Sequence, residues 1–170
     1  MIATDLSTGV TMAGFLAVTD LSQFFGQMGG ALALGLAALG SALGIGAAGQ
    51  AAAGAWAKEA KAGKTLSFLY IVFTGAPISQ TLYAMMVMNR LRDVLHDPNA
   101  AAANAGLLLA IGIATGLGEL FSAWFQGLIG AAGIRALCEG EGKGFAFLLI
   151  AIGIVETVGI FTFVFMLGMV

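Results

Sequence analysis

Charged side chains are scarce in this sequence. Only 9 % of its 170 residues are Asp, Glu, Lys or Arg, whereas a soluble domain carries about 25 %. So few charges cannot cover a surface that faces water, and 59 % of the residues are hydrophobic. The composition therefore predicts a protein that lies in a lipid bilayer.

Cysteine and basic residues are rare as well. Cys138 is the only cysteine, which excludes a disulfide within the chain, and no metal-ligand cluster is recognisable. The net charge of -2 and the lack of a basic patch give no indication of nucleic-acid binding. No GxxxxGK[ST] loop or nucleophile–base set is present, so the chain is not expected to be an enzyme by itself.

Most of the charges are grouped in three clusters, over residues 58–64, 90–97 and 135–143, and Glu119 and Glu156 are exceptions within the apolar stretches. Because a membrane-spanning helix needs about 20 mostly apolar residues, the clusters divide the chain into four predicted spans. These spans cover residues 28–57, 66–90, 103–135 and 144–169. The sequence thus predicts an all-α membrane protein.

Basic residues predict the orientation of the spans. The first connection (between spans 1 and 2) and the third (between spans 3 and 4) together hold Lys58, Lys61, Lys64, Arg135 and Lys143. The second connection holds only Arg90 and Arg92. Since basic residues in short loops stay on the cytoplasmic side, we expect the first and third connections in the cytoplasm.

Residues 1–27 are expected to form a separate N-terminal segment. The segment has a short apolar patch but no basic start, so it does not resemble a signal peptide. We expect it to lie at the membrane interface or in the lumen.

The two halves of the chain resemble each other. Two registers align them, and the matched pairs are Ser41 with Ser122, Gly46 with Gly127, Gly49 with Gly130, Ile78 with Ile154, Gln80 with Glu156 and Thr81 with Thr157. Matches across whole spans indicate an internal repeat. The sequence therefore predicts two tandem helical hairpins in the same orientation, over residues 28–97 and 98–170.

Small residues line the first and third spans. The stretch GALALGLAALGSALGIGAAGQAAAG, residues 30–54, has little bulk along one side. Small residues let helix backbones approach closely within a membrane. Because the second and fourth spans carry the large side chains, the pattern favours a ring with the small-residue spans inside, over an ordinary four-helix bundle.

Glu156 is the only ionisable residue between residues 144 and 170. An ionised carboxylate within hydrocarbon is costly, so it is either protonated or beside a bound cation. A protonated glutamate with a purely structural hydrogen bond is the simpler alternative. Intramembrane acids are nonetheless functional candidates by default.

Further polar residues of the spans complement Glu156. In APISQTLY of the second span, Ala76, Ser79, Gln80 and Tyr83 fall on one helical face, and Pro77 is expected to distort the helix there. Gln126 of the third span adds an amide. Hydroxyl, amide, carbonyl and carboxylate oxygens are the ligands that hard cations prefer. One carboxylate would match one monovalent cation.

Together these motifs, GIVETVGIF, PISQTLY and SAWFQG on a duplicated hairpin, resemble the proteolipid (K or c subunit) of vacuolar-type rotary ATPases. The resemblance implies a rotor ring of identical subunits in a prokaryotic cytoplasmic membrane, surrounded by lipid. It also implies a stator subunit that supplies half-channels and an arginine, and central-stalk subunits at the cytoplasmic connections.

The resemblance is to the sodium-carrying type, and it implies the ion ligands. They are Glu156, Gln126, Gln80, Ser79 and the Ala76 carbonyl, with Tyr83 bonded to the carboxylate. Ser79 stands where the family has Thr, and it keeps the hydroxyl. The alternatives are a proton-carrying proteolipid, a self-contained secondary transporter and a structural membrane protein.

Glu119 has no role in this pattern. It lies seven residues before Gln126, on the same face of the third span. A second proton site, a position facing the ring lumen, and a partner in an adjacent subunit are three open accounts of it.

Overall fold

Five α-helices and one 3-10 turn build the computed structural model, which describes residues 12–170. They are α1 (Met12–Lys61), α2 (Leu69–Gly75), the turn Ala76–Ile78, α3 (Ser79–Val94), α4 (Pro98–Glu139) and α5 (Phe145–Leu167). Four segments are long and apolar enough to cross a membrane: Leu21–Lys61, Leu69–Val94, Ala103–Glu139 and Phe145–Leu167. The all-α prediction with four spans is confirmed.

Both small-residue helices are longer than their predicted spans. A separate segment is expected over residues 1–27, but residues 12–27 continue α1 without a break because no proline interrupts it. Residues 1–11 lie outside the described part of the chain. α4 also begins early, at Pro98, where the Asp97 carboxylate accepts hydrogen bonds from two backbone N–H groups.

Helices α1 and α4 run parallel and form the largest helix contact in the described chain. Their backbones touch at paired glycines. A Cβ atom added at Gly127 would overlap the backbone of Gly44, and one added at Gly112 would overlap Gly29. The small residues along both helices therefore permit a contact that larger side chains would prevent.

The segment α2–α3 and helix α5 pack together beside this pair. The rings of Tyr83 and Phe163 stack with centroids 5.5 Å apart. Large side chains of α5 point away from the other helices, and Phe147 is 80 % exposed. This surface is the one suited to face lipid, as the distribution of large residues predicts.

The first and third connections lie at the same end of the molecule. Lys64 Nζ of the first connection lies 2.7 Å from Glu141 Oε1 of the third. At the opposite end, Arg90 Nη2 donates a 3.0 Å hydrogen bond to the carbonyl of Val170. The two hairpins thus have the same orientation, as the repeat predicts.

Candidate functional site

The second span is broken where the polar motif begins. Pro77 has no N–H group to donate to the helix, and residues 76–78 form a tighter 3-10 turn between α2 and α3. Two side chains bridge this turn to α1. Ser41 Oγ of α1 donates a hydrogen bond to the Pro77 carbonyl, and Ser41 Oγ accepts one from the Thr81 hydroxyl at 2.8 Å. The predicted distortion is confirmed, and α1 supports it.

The Ser79 hydroxyl lies at the centre of a group of oxygen atoms. Its Oγ lies 3.1 Å from the Ala76 carbonyl, 3.1 Å from Gln80 Oε1 and 2.9 Å from Glu156 Oε1. A hydroxyl carries one proton and can donate it to one of these oxygens at a time. Three acceptor oxygens therefore surround one hydroxyl group, an arrangement of oxygens that could also coordinate a small cation.

Two further side chains hold the Glu156 carboxyl group. Tyr83 OH donates to Oε1 at 3.2 Å, and Gln126 Nε2 donates to Oε2 at 3.4 Å. Glu156 itself is only half-buried in the single subunit, whereas Gln126 is fully buried. The carboxyl group is thus anchored from inside and remains reachable from the outer side.

A buried amide layer lies behind the carboxyl group. Gln80 Nε2 is 3.2 Å from Gln126 Oε1 and 3.2 Å from Ser122 Oγ. Ser122 Oγ in turn donates to the Val155 carbonyl of α5 at 3.1 Å. This layer joins α3, α4 and α5 and fixes the direction in which the Gln80 oxygen points.

The structure brings together all six residues that the sequence singles out, with one difference of orientation. The oxygens of Glu156, Ser79, Gln80 and Ala76 converge, and Tyr83 bonds the carboxylate as expected. Gln126, in contrast, faces Glu156 with its amide nitrogen, because its oxygen accepts from Gln80. Gln126 therefore positions the carboxylate here and presents no oxygen to it.

Ser122 is a site residue that the sequence reasoning did not single out. The repeat contained the signal, because Ser122 aligns with Ser41 of the first hairpin. Both serines lie on a small-residue helix, and both donate to a carbonyl of a neighbouring span. Each hairpin thus uses the serine at the corresponding position to support its polar region.

The site is suited to a hard monovalent cation in its chemistry. The described part of the chain contains no cluster of His, Cys, Asp and Glu that would hold a metal ion. Carboxylate, hydroxyl, amide and carbonyl oxygens are available instead, and the single carboxylate can balance one positive charge. A filled site would be neutral, and an empty, ionised one would carry a charge into the membrane.

Glu119 lies inside the subunit, near this site but apart from it. Its side chain is 0 % exposed in the single chain. The accounts that place it toward the ring lumen or against an adjacent subunit are therefore wrong, since both require exposure on the subunit surface.

Comparison with known families matches each hairpin separately. The family of the ATP synthase C subunit matches residues 28–89 and again residues 109–169. Comparison with individual curated proteins gives no match. With both hairpins matched over most of the chain, this protein belongs to the ATP synthase C-subunit family, a membrane rotor component of rotary ATPases that is not catalytic by itself.

Proposed function

We propose that this chain carries Na⁺ as the rotor-ring subunit of a vacuolar-type ATPase or ATP synthase, with one sodium site per subunit at Glu156. Membership of the family supports the rotor role and the ring of identical subunits working against a stator. The choice of ion and of the vacuolar type rests on the residues of the site and on the duplicated hairpin.

The observation that carries the sodium assignment is the set of oxygen atoms around the Ser79 hydroxyl. Three acceptor oxygens, from Ala76, Gln80 and Glu156, lie within 3.1 Å of one hydroxyl oxygen. A proton carrier needs only the carboxyl group and one acceptor. Four converging oxygens are more than a proton requires, and they match the donor set of a hard cation.

The vacuolar assignment follows from the two unequal hairpins. Gln80 of the first hairpin occupies the position that Glu156 occupies in the second. At this position of the repeat, one four-helix subunit therefore carries one acid, where two separate hairpins with an acid each would carry two. This pattern resembles the vacuolar-type proteolipid.

Transport follows from the charge of the site. Na⁺ enters at a half-channel of the stator and is bound by Glu156, Ser79, Gln80 and the Ala76 carbonyl. Gln126 and Tyr83 keep the carboxylate in place. The occupied site is neutral and can rotate through lipid, whereas the empty site cannot, because an ionised carboxylate in hydrocarbon is costly. A stator arginine would favour release at the second half-channel.

The orientation of the subunit follows from its connections. The first and third connections lie at one end and carry most of the basic residues. We place this end in the cytoplasm of a prokaryotic cell, where it would contact the central stalk.

Carbodiimide modification of Glu156 in purified rings tests the proposal, because the reagent attacks protonated carboxyl groups. Modified peptides are quantified by mass spectrometry across a range of pH, with and without Na⁺. We expect Na⁺ to protect Glu156, with protection that weakens as the pH falls and protons compete. K⁺ at the same concentration is the matched control and should protect far less.

The other outcomes are equally distinct. Modification of Glu156 that ignores Na⁺ would make the chain a proton-carrying subunit. Absence of any modification over the whole pH range would remove Glu156 as the ion carrier.

A further inference from the structure

Glu119 of α4 is the second carboxyl group within the apolar stretches of the described spans. It is fully buried, and neither of its carboxyl oxygens has a hydrogen-bond partner. Thr115 lies one turn earlier on α4, is also fully buried, and its hydroxyl oxygen has no hydrogen-bond partner either. Buried polar atoms without partners are rare in folded proteins, so two such residues on adjacent turns call for an explanation.

Gly159 of α5 packs directly against the Glu119 carboxyl group and the Ser122 hydroxyl. A Cβ atom added at Gly159 would lie 2.7 Å from Glu119 Oε2 and 3.0 Å from Ser122 Oγ. The carboxyl oxygen and the hydroxyl oxygen therefore lie beside the same glycine, where α4 packs against α5. Any larger residue at position 159 would collide with both oxygens.

This contact adjoins the Glu156 site without being part of it. Gly159 lies three residues after Glu156 on α5, which is about 4.5 Å along the helix axis. Ser122 links the two regions, since its hydroxyl also accepts a hydrogen bond from Gln80 Nε2 at 3.2 Å. Two carboxyl groups thus occupy successive turns of the same helix interface.

No basic side chain is available to balance the charge of Glu119. Residues 21–57 of α1 and residues 65–89 contain no charged side chain, and Glu156 is the only one in α5. Tyr83 of α3 is close enough to Glu119 to interact with it electrostatically, Glu156 lies one turn from Gly159 on α5, and neither is a cation. A positive charge at Glu119 must therefore come from a bound ion or a proton.

We propose that Glu119, Thr115 and Ser122 form a second binding site for an exchangeable monovalent cation in each subunit, one helical turn along α5 from Glu156. The ligand chemistry is one positive charge held by a carboxylate and two hydroxyl oxygens. Either Na⁺ or a proton supplies that charge. The inference goes beyond the sodium site at Glu156 and holds whichever ion Glu156 carries.

Infrared difference spectroscopy on purified rings tests the second site. In the Glu156→Gln variant, Glu119 is the only carboxyl group left within the apolar stretches of the spans, and the double variant that adds Glu119→Gln is the matched control. We expect a carboxylic acid band that is absent from the double variant. Loss of the band on addition of Na⁺ identifies Na⁺ as the cation, and loss on raising the pH with no response to Na⁺ identifies a proton.

A band that changes in neither titration, or no band at all, would overturn the proposal, because Glu119 would then exchange no cation. The single variant Glu119→Gln gives an independent measurement if rings with Glu156→Gln do not assemble. We expect wild-type rings to show twice the titrating signal from intramembrane carboxyl groups that Glu119→Gln rings show. Equal signals would again overturn the second site.

Failure here is separate from failure of the proposed sodium function. In Glu119→Gln rings, the remaining intramembrane carboxyl signal belongs to Glu156 and shows by itself whether that residue binds Na⁺. A negative result for Glu119 therefore leaves the Glu156 measurement intact, and the reverse holds for the Glu156→Gln rings.

Discussion

Ser79 Oγ of the first hairpin lies 2.9 Å from Glu156 Oε1 of the second. The acid and its hydroxyl partner thus come from opposite halves of the duplicated chain. Neither hairpin alone contains the ion site, so the site exists only when α3 packs against α5. The duplication has divided one function between two unequal copies.

Replacement of Glu156 by Gln should abolish ion transport and leave ring assembly intact. The amide keeps the shape of the side chain but cannot balance a cation. Reconstituted rotary complexes should lose Na⁺ transport and any ATP turnover coupled to it. Thr157→Val is the control, because the Thr157 hydroxyl bonds only its own helix, to the Ile154 carbonyl at 2.6 Å. Transport that survives Glu156→Gln would contradict the assignment of the ion carrier.

Ser79→Ala should weaken Na⁺ binding without removing the carboxylate. The change deletes the oxygen that lies between Ala76, Gln80 and Glu156. Leaving a polar group without one of its partners costs about 1–3 kcal/mol of free energy. This cost corresponds to a loss of roughly 5-fold to 150-fold in Na⁺ affinity. The Na⁺ concentration that half-protects Glu156 from carbodiimide measures the change, with Thr157→Val as the matched hydroxyl deletion. An unchanged concentration would show that Ser79 is not a ligand.

Gly127→Ala should destabilise the subunit although alanine is the better helix former. The added Cβ would overlap the backbone of Gly44, so α1 and α4 must separate. Overpacking of this kind typically costs about 1–3 kcal/mol. The temperature at which rings dissociate in detergent should fall. Gly54→Ala, where no neighbouring atom lies within 4 Å, should leave that temperature unchanged or raise it.

Glu59 should anchor the first connection. This glutamate is 9 % exposed, and its carboxylate accepts hydrogen bonds from the Tyr70 hydroxyl and, at 2.9 Å, from the Ser67 N–H group. Glu59→Ala leaves both donors without their acceptor, so hydrogen exchange over residues 62–68 should accelerate. Glu139→Ala, at a position near the third connection that is not buried, should not change exchange there.

The ion pair between the first and third connections should add a small pH-dependent stabilisation. The hydrogen bond and the charge of Lys64 lower the pKa of the Glu141 carboxyl, and Glu141 likewise raises the pKa of Lys64. The stabilisation from Glu141 is present above the ordinary glutamate pKa of 4.5, and it is lost as the pH falls through the lowered pKa of Glu141. The stabilisation from Lys64 is present below the ordinary lysine pKa of 10.5, and it is lost as the pH rises through the raised pKa of Lys64.

Glu141→Gln should therefore lower the dissociation temperature of the rings slightly at neutral pH and not in acid. Because both groups are exposed, the difference should also disappear at high salt. A difference that persists in acid would point to a contact other than the ion pair.

Much of the fold and the site can be predicted from the sequence, because the signals are local. Charge clusters delimit the spans, and helical spacing places Ser79, Gln80 and Tyr83 on one face. A lone acid such as Glu156 is conspicuous where everything around it is apolar. The start of α1 is harder to predict, since helix and interfacial segment share the same composition.

The remaining features depend on contacts between helices, which spacing along one helix does not reveal. The orientation of the Gln126 amide is set by Gln80 on another helix. Glu119 lies on the same face of α4 as Gln126, yet only its burial among the packed helices shows that it lies inside the subunit. The role of Ser122 similarly depends on its contacts with α3 and α5.

The glycine contact between α1 and α4 also bears on how much work each turn of the rotor performs. Backbones that touch at Gly44 and Gly127 make the subunit narrow on one side, while α3 and α5 with their large side chains make it broad on the other. When identical wedge-shaped subunits pack side by side, each is rotated by a constant angle relative to its neighbour. The taper of the wedge therefore determines the number of subunits in the ring. That number sets the ions moved per revolution, so glycines far from the carboxylate help to determine the gear ratio between ion flow and ATP.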